Sequence, residues 1–137
     1  MEKSACLKLL RGLFSGVLVA LLVFGYGVQA ETDRVAAAQV MNNYLESLAN
    51  GDAPRLSGLI DGAMKKRNRQ LTLDPDYYGE YLRTHYSGVI MSVESIMDKG
   101  ERVEAAVRFD YPSAQSTTII FVLSQVAGEW KITDEIF

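Results

Sequence analysis

The sequence predicts an α+β domain in which three helices pack on an antiparallel sheet of about four strands. In the first half of the domain, apolar residues recur at three- and four-residue intervals, which is the period of a helix. After Ser87, apolar and polar residues alternate, and short turn sequences separate the strand-like runs. Helices followed by such a meander are typical of the α+β class.

The first 30 residues have the pattern of a secretory signal peptide. Three cations precede the uncharged run Gly12–Ala30, and Val28 and Ala30 are the small residues that a signal peptidase recognises before Glu31. We therefore expect cleavage after Ala30 and export of residues 31–137 to the periplasm or the extracellular space. An uncleaved membrane anchor is the alternative, because 19 uncharged residues approach the length of a membrane span.

Removal of the signal would change the composition of the chain. The single cysteine, Cys6, would leave with it, which excludes disulfides and thiol chemistry from the domain. The remaining 107 residues carry 11 Lys and Arg against 16 Asp and Glu, a net charge of −5. This acidic balance argues against nucleic-acid binding. The length suits one domain with a single core.

Each predicted helix has a start signal. The first runs from Asp33 to about Ala49, with Thr32 or Asp33 as its N-cap, and ends at Gly51. The second follows Asp52. Its inward residues are predicted to be Leu56, Leu59, Ile60 and Met64. The third helix begins after Asp74 with proline at its first position.

Four strands are predicted after the helices. They span Val89–Met97, Arg102–Tyr111, Ser116–Val126 and Glu129–Ile136. The third strand is apolar on both faces, with Ile120 and Val122 on the side away from the helices. Because a second apolar face needs a cover, we expect a homodimer through the sheet.

Two segments of the chain resemble the nuclear transport factor 2-like superfamily. They are YLESLANGDAPRLSGLI (Tyr44 to Ile60) and the closing hairpin GEWKITDEIF (Gly128 to Phe137). The resemblance implies a strongly curved sheet wrapped on helices to form a cone. Members of the superfamily include isomerases, dehydratases, cyclases and non-catalytic binding or assembly domains, so the resemblance alone does not select a function.

The candidate catalytic residues are His85, Asp134 and Tyr81. In the last strand, Asp134 is predicted to face inward with Trp130, Ile132 and Ile136, where burial would raise its pKa and make it a candidate general base. The alternative, which we favour, places Asp134 in water at the rim of the sheet.

The stretch LDPDYYGEYLRTHY (Leu73 to Tyr86) contains the single histidine of the chain. A helical wheel places Tyr78, Tyr81, Leu82, His85 and Val89 on one face, with Tyr77 and Tyr86 at its margins. We expect His85 to be a neutral core residue rather than a catalytic group. The predicted ligand pocket consists of Tyr44, Tyr78, Tyr81, Leu82, His85, Phe109 and Trp130.

The segment KKRNR is the one concentration of positive charge. Its cations, Lys65, Lys66, Arg67 and Arg69, are expected to form a solvated helix end. The alternative is a docking patch for an acidic partner or an anionic membrane surface. The sequence contains no recognisable metal or cofactor motif. An incomplete EF-hand pattern at Asp74 lacks the final bidentate glutamate, because His85 occupies that position.

Two classes of function follow from the sequence. The first is an exported, non-catalytic binding or assembly module whose apolar cone holds a small hydrophobic ligand or serves only as core. The second is a small isomerase, dehydratase or hydrolase-like enzyme that uses His85, a nearby tyrosine and Asp134. The enzyme requires these side chains to converge on one open cavity.

Overall fold

The computed structural model describes residues 29–137. The predicted signal peptide and its alternative, an uncleaved anchor, fall almost entirely on residues 1–28 and lie outside the described residues. Within residues 29–137, none of the helices has both the length and the hydropathy needed to cross a bilayer.

The described chain contains five helices followed by four strands. The first helix, α1, is described from residue 29 to residue 50. The other helices are α2 (Ala53–Leu59), α3 (Gly62–Arg67), α4 (Gln70–Leu73) and α5 (Pro75–His85). The strands are β1 (Ile90–Asp98), β2 (Arg102–Asp110), β3 (Thr117–Val126) and β4 (Glu129–Ile136).

The four strands form one antiparallel sheet in the order β1-β2-β3-β4. The helices cover one face of this curved sheet, which confirms the predicted α+β class. The predicted strand bounds differ from the observed ones by at most one residue at each end. These bounds were predictable because each turn sequence interrupts the alternation of apolar and polar residues.

The helical half of the described chain has five helices where three were predicted, and it differs from the prediction in three places. One is the short helix α4, which was not predicted. Residues 29–32 are already helical, so the expected N-cap at Thr32 or Asp33 is wrong. The predicted second helix is divided at Ile60, which leaves the helix to form a parallel bridge with Ile132 of β4. The amide of Asp61 also donates to the carbonyl of Ile132, at 2.9 Å. The chain between α2 and α3 therefore attaches to the outer edge of β4.

The core lies between α1 and the helix-facing side of the sheet. The predicted stripe of α1 is buried at Ala37, Met41, Tyr44, Leu45 and Leu48. From the sheet, it meets a set of fully or almost fully buried residues: Val103, Ala105, Val107, Phe109, Phe121, Leu123 and Ile132. The ring of Tyr44 packs edge-on against that of Phe121, with 5.5 Å between centroids.

Two glycines fix how closely α5 approaches the turn between α1 and α2. Gly51 has a φ of 64°, as expected for the residue that ends α1. A Cβ atom at Gly79 would lie 2.5 Å from the carbonyl oxygen of Gly51. Since such a contact is sterically impossible without movement, the two backbones can be this close only if residue 79 has no side chain.

We expect Gly79→Ala to destabilise the protein by roughly 1–3 kcal/mol, because the methyl group would push α5 away from the α1–α2 turn. Gly58→Ala in α2 is the matched control. Nothing lies within 4 Å of a Cβ atom at Gly58, so its replacement should stabilise by about 0.5–1 kcal/mol through helix propensity. Denaturant unfolding of both variants measures the difference. Equal effects of the two substitutions would contradict the close approach.

Candidate functional site

A cavity of about 280 Å³ lies between the helices and the sheet. Its aliphatic lining residues are Leu48, Leu56, Ile60, Met64, Leu71, Leu82 and Ile119. Its other lining residues are Tyr44, Asn68, Tyr78, Tyr86, Tyr111, Glu135 and Phe137. Phe137 is 87% exposed, so the cavity reaches solvent beside the end of β4. The cavity therefore has a mixed lining in which phenol groups accompany the aliphatic side chains.

Three of the residues predicted for the pocket line this cavity, namely Tyr44, Tyr78 and Leu82. The other predicted residues do not line it. Phe109 is buried in the core, and Trp130 is partly buried against the core. Tyr81 and His85 are exposed.

The prediction that His85 is a core residue is wrong. Its side chain lies at the surface, stacked on Tyr81 with ring centroids 5.6 Å apart and edge-on to Tyr86 at 4.8 Å. The buried face of α5 instead contains Gly79 and Leu82. Gly79 of α5 lies in close contact with the backbone of Gly51, which turns Gly79 and Leu82 toward the interior. The helix is therefore rotated about its axis relative to the predicted orientation, in which the aromatic stripe faces the core. Tyr81 and His85 are thereby moved to the edge of the buried face.

A β-bulge in the last strand determines which carboxylate faces the cavity. Leu123 pairs with Ile132 and Val122 pairs with Asp134, which leaves Thr133 as the extra residue. Beyond the bulge, Glu135 pairs with the buried Phe121 and shares the inner face with Ile132. The interpretation in which Asp134 and Ile136 face inward is therefore wrong, and the inward acid is Glu135. The favoured alternative, Asp134 in contact with water, agrees with its 49% exposed side chain.

Arg67 of α3 lies between the two acids. Its Nη2 atom donates to Oδ1 of Asp134 at 2.7 Å, and its Nε atom lies 3.6 Å from Oε1 of Glu135. The Asp134 side chain is 49% exposed, whereas that of Glu135 is 17% exposed. The guanidinium of Arg67 is thus shared unequally, and its closer partner is the more exposed carboxylate.

These environments shift the pKa values of the two acids in opposite directions. The hydrogen bond from Arg67, helped by the amide of Glu135, lowers the pKa of Asp134. Burial raises the pKa of Glu135, and the attraction of Arg67 opposes that effect without cancelling it. The candidate general base with a raised pKa is therefore Glu135 and not Asp134.

The phenols of the cavity interact with this carboxylate. Burial raises the pKa of Tyr44, Tyr86 and Tyr78, and the charge of Glu135 adds to each increase. These three hydroxyl groups therefore remain neutral at physiological pH and can act as hydrogen-bond donors and acceptors. They and Glu135 form a hydroxyl-rich, singly acidic part of the cavity lining.

The proposed catalytic group does not assemble at this cavity. Neither His85 nor Tyr81 lines it, and Asp134 is held in an ion pair with Arg67 on the exposed side of β4. The three candidate catalytic side chains therefore do not meet in this cavity, as the enzyme hypothesis requires. Among residues 29–137, no group of three or more His, Cys, Asp or Glu side chains could hold a metal ion.

The predicted basic patch is smaller than its sequence suggests. Arg67 belongs to the ion pairs with Asp134 and Glu135. Lys65 and Lys66 lie in the last turn of α3, where positive charge is favourable to the helix dipole, and Arg69 is exposed in the turn that follows. A docking role for the patch stays a prediction.

The fold matches that of several solved structures. A nuclear transport factor 2-like protein of unknown function from Shewanella baltica is 16% identical, with a TM-score of 0.53, over 77% of this chain and 91% of that chain. A second such protein, from Methylobacillus flagellatus, is 16% identical with a TM-score of 0.54, over 76% and 89% of the two chains. A third, from Silicibacter pomeroyi, is 12% identical with a TM-score of 0.54, over 77% and 93%.

These similarities show that the chain has the nuclear transport factor 2-like fold, as its sequence predicted. At such low identity they carry information on the fold alone. No protein-family model matches the sequence, and no curated protein matches it. Any functional conclusion must therefore come from the cavity and its surroundings.

Substitution of the two neighbouring acids should have opposite effects on stability. Because the pKa of Glu135 is raised in the folded state, its contribution to the stability of the wild-type protein falls with rising pH. The fall begins near the ordinary pKa of 4.5 and is complete above the folded pKa. Glu135→Gln should therefore be no less stable than wild type at pH ~7, and any gain should vanish below pH ~4.5.

Asp134→Asn is the matched variant. The lowered pKa of Asp134 contributes stability that is present above its ordinary value of 3.8 and is lost as pH falls through the folded value. This variant should therefore be less stable than wild type at neutral pH and should approach it in acid. Urea midpoints across pH test both expectations. A loss of stability at neutral pH that is larger for Glu135→Gln than for Asp134→Asn would contradict the assignment.

Proposed function

We propose that the protein is a non-catalytic binding module that holds a small ligand in its cavity. The observation that carries this proposal is a solvent-connected cavity of about 280 Å³ with seven aliphatic side chains and a few convergent polar groups. That combination is characteristic of small-molecule sites, in which apolar area supplies affinity and polar groups fix orientation. The volume suits a ligand smaller than a typical drug molecule.

The lining residues favour binding over catalysis. Glu135 is the one acid that lines the cavity in the described chain, and no histidine, lysine or cysteine lines it with Glu135. A general base normally needs a second group that stabilises developing charge or donates a proton. The neutral phenols have raised pKa values, which makes them poor proton donors at physiological pH.

Export is the second part of the proposal. It is supported by the cationic start, the uncharged run and the small residues at Val28 and Ala30 in the sequence. The absence of cysteine from residues 31–137 is compatible with an oxidising compartment. An exported binding module would meet its ligand outside the cytoplasm.

Homodimerisation through the outer face of the sheet is the third part. Ala106 pairs with Ile120, and Ile120 pairs with Ile136, so the three side chains form an apolar row across the sheet. Ile120 is 36% exposed and Ile136 is 45% exposed. Val122, which was also predicted to face the partner, is already buried within one chain. The surface that supports a symmetric contact is therefore the row of Ala106, Ile120 and Ile136.

To test the binding site, we would compare Ile119→Trp with Leu73→Trp. Ile119 lines the cavity, whereas Leu73 is exposed, so the first indole should fill the cavity and the second should remain in solvent. The probe is 3,3-dimethylbutan-1-ol, detected by ligand-observed NMR. We expect binding to wild type and Leu73→Trp, with at least a tenfold loss, about 1.4 kcal/mol, in Ile119→Trp. Equal binding to all three proteins would refute the cavity as the site.

For the dimer, we expect Ile120→Glu to dissociate the protein into monomers, because it places a charge in a dry contact. Thr118→Glu is the control. Thr118 is exposed on the same face and pairs with Arg108, whose guanidinium can form an ion pair with the new carboxylate. Light scattering at micromolar concentration gives the mass of each form. A monomeric wild type, or a dimer unaffected by Ile120→Glu, would exclude this interface.

A further inference from the structure

The cavity has an unusual concentration of aromatic hydroxyl residues. Tyr44 comes from α1, Tyr78 and Tyr86 come from α5 and its C-cap, and Tyr111 follows β2, so three separate parts of the chain contribute four phenol rings. The face of such a ring carries partial negative charge and attracts cations, most strongly where water is excluded. Among residues 29–137, no lysine, arginine or histidine that would repel a cation lines the cavity.

The same cavity contains the carboxylate of Glu135, whose negative charge is only partly neutralised by a neighbouring cation. Glu135 lines the cavity, and Arg67, with which it forms an ion pair at 3.6 Å, makes a shorter bond with Asp134, at 2.7 Å. One guanidinium thus serves two carboxylates, which leaves this group of three side chains with a net charge of −1. Because the Glu135 side chain is mostly buried, a cation inside the cavity would restore part of the interaction that it loses with water.

The aliphatic lining adds a second requirement. Seven leucine, isoleucine and methionine side chains leave little opportunity for a strongly hydrated inorganic ion to retain its water shell. They suit apolar substituents instead. Resting on the binding function proposed above, we propose that the ligand is a small organic cation, an ammonium group with alkyl substituents, which contacts the tyrosine rings and the Glu135 carboxylate.

A pair of isosteric probes separates charge from shape. The two probes are choline and 3,3-dimethylbutan-1-ol, in which a carbon atom stands in place of the quaternary nitrogen of choline. They have the same shape and the same hydroxyl group, but only choline is charged. Isothermal titration calorimetry and NMR titration at neutral pH give both affinities. We expect choline to bind wild type about tenfold more tightly than the alcohol, or better, since desolvated cation–π contacts favour it by that order.

Two pairs of variants identify the groups responsible. Glu135→Gln should reduce the preference for choline over the alcohol to less than about threefold, whereas Asp134→Asn should retain the preference. Tyr78→Leu, which removes a cavity ring, should weaken choline binding more than alcohol binding. Tyr77→Leu is its control, because Tyr77 is exposed and does not line the cavity. Retained binding of the neutral alcohol reports that each variant is folded.

Each outcome decides between the proposals. Equal or tighter binding of the alcohol by wild type would overturn the organic-cation proposal and leave the binding module intact. A preference for choline that survives Glu135→Gln would also overturn the assignment to this carboxylate. If wild type binds neither probe, both proposals fail together, because the alcohol meets the size and apolar requirements of the cavity.

Discussion

The arrangement of the cavity depends on the way the last strand is attached on both sides. On one side β4 pairs with β3, and on the other it receives the chain between α2 and α3 through Ile60 and Asp61. The bulge at Thr133 directly follows Ile132, the residue of β4 that is attached on both sides. Because side chains alternate along a strand, one extra residue exchanges the faces of every residue that follows. Glu135 therefore lies inside, and Ile136 lies outside beside Ile120.

The position of Glu135 has an energetic consequence. A carboxylate that is largely removed from water destabilises the fold unless it finds a partner, and Arg67 is a shared partner at 3.6 Å. Residues that reduce stability in this way are often found at functional sites, where a ligand supplies the missing interaction. By contrast, Asp134 has a close ion pair and an amide hydrogen bond, which makes it a structural anchor for α3.

The sequence predicted those features that depend on local period. The stripe of α1, the bounds of the four strands and the N-cap at Asp74, whose side chain accepts from the amide of Tyr77, all follow from spacing or local hydrogen bonding. The fold class followed from their order. These signals survive in the structure because packing and local preference agree.

The errors arise where tertiary contacts override the local period. The aromatic stripe of α5 suggested that His85 faces the core, but the contact between Gly79 and Gly51 turns the helix toward Leu82. A strict alternation in β4 suggested Asp134 as the inward acid, whereas the bulge selects its neighbour. Two adjacent acids in one strand were a usable signal, because one of them must face inward unless the strand twists out of the sheet.

Placement of Glu135, rather than Asp134, in the cavity is the central claim, and a carboxyl titration tests it most directly. Carbon-detected NMR of the free protein, with the two side chains assigned from Glu135→Gln and Asp134→Asn, would give both pKa values. The structure predicts that the pKa of Glu135 lies above its ordinary 4.5 and that of Asp134 lies below its ordinary 3.8. A raised pKa at Asp134 together with a lowered one at Glu135 would contradict the bulge and the cavity built on it.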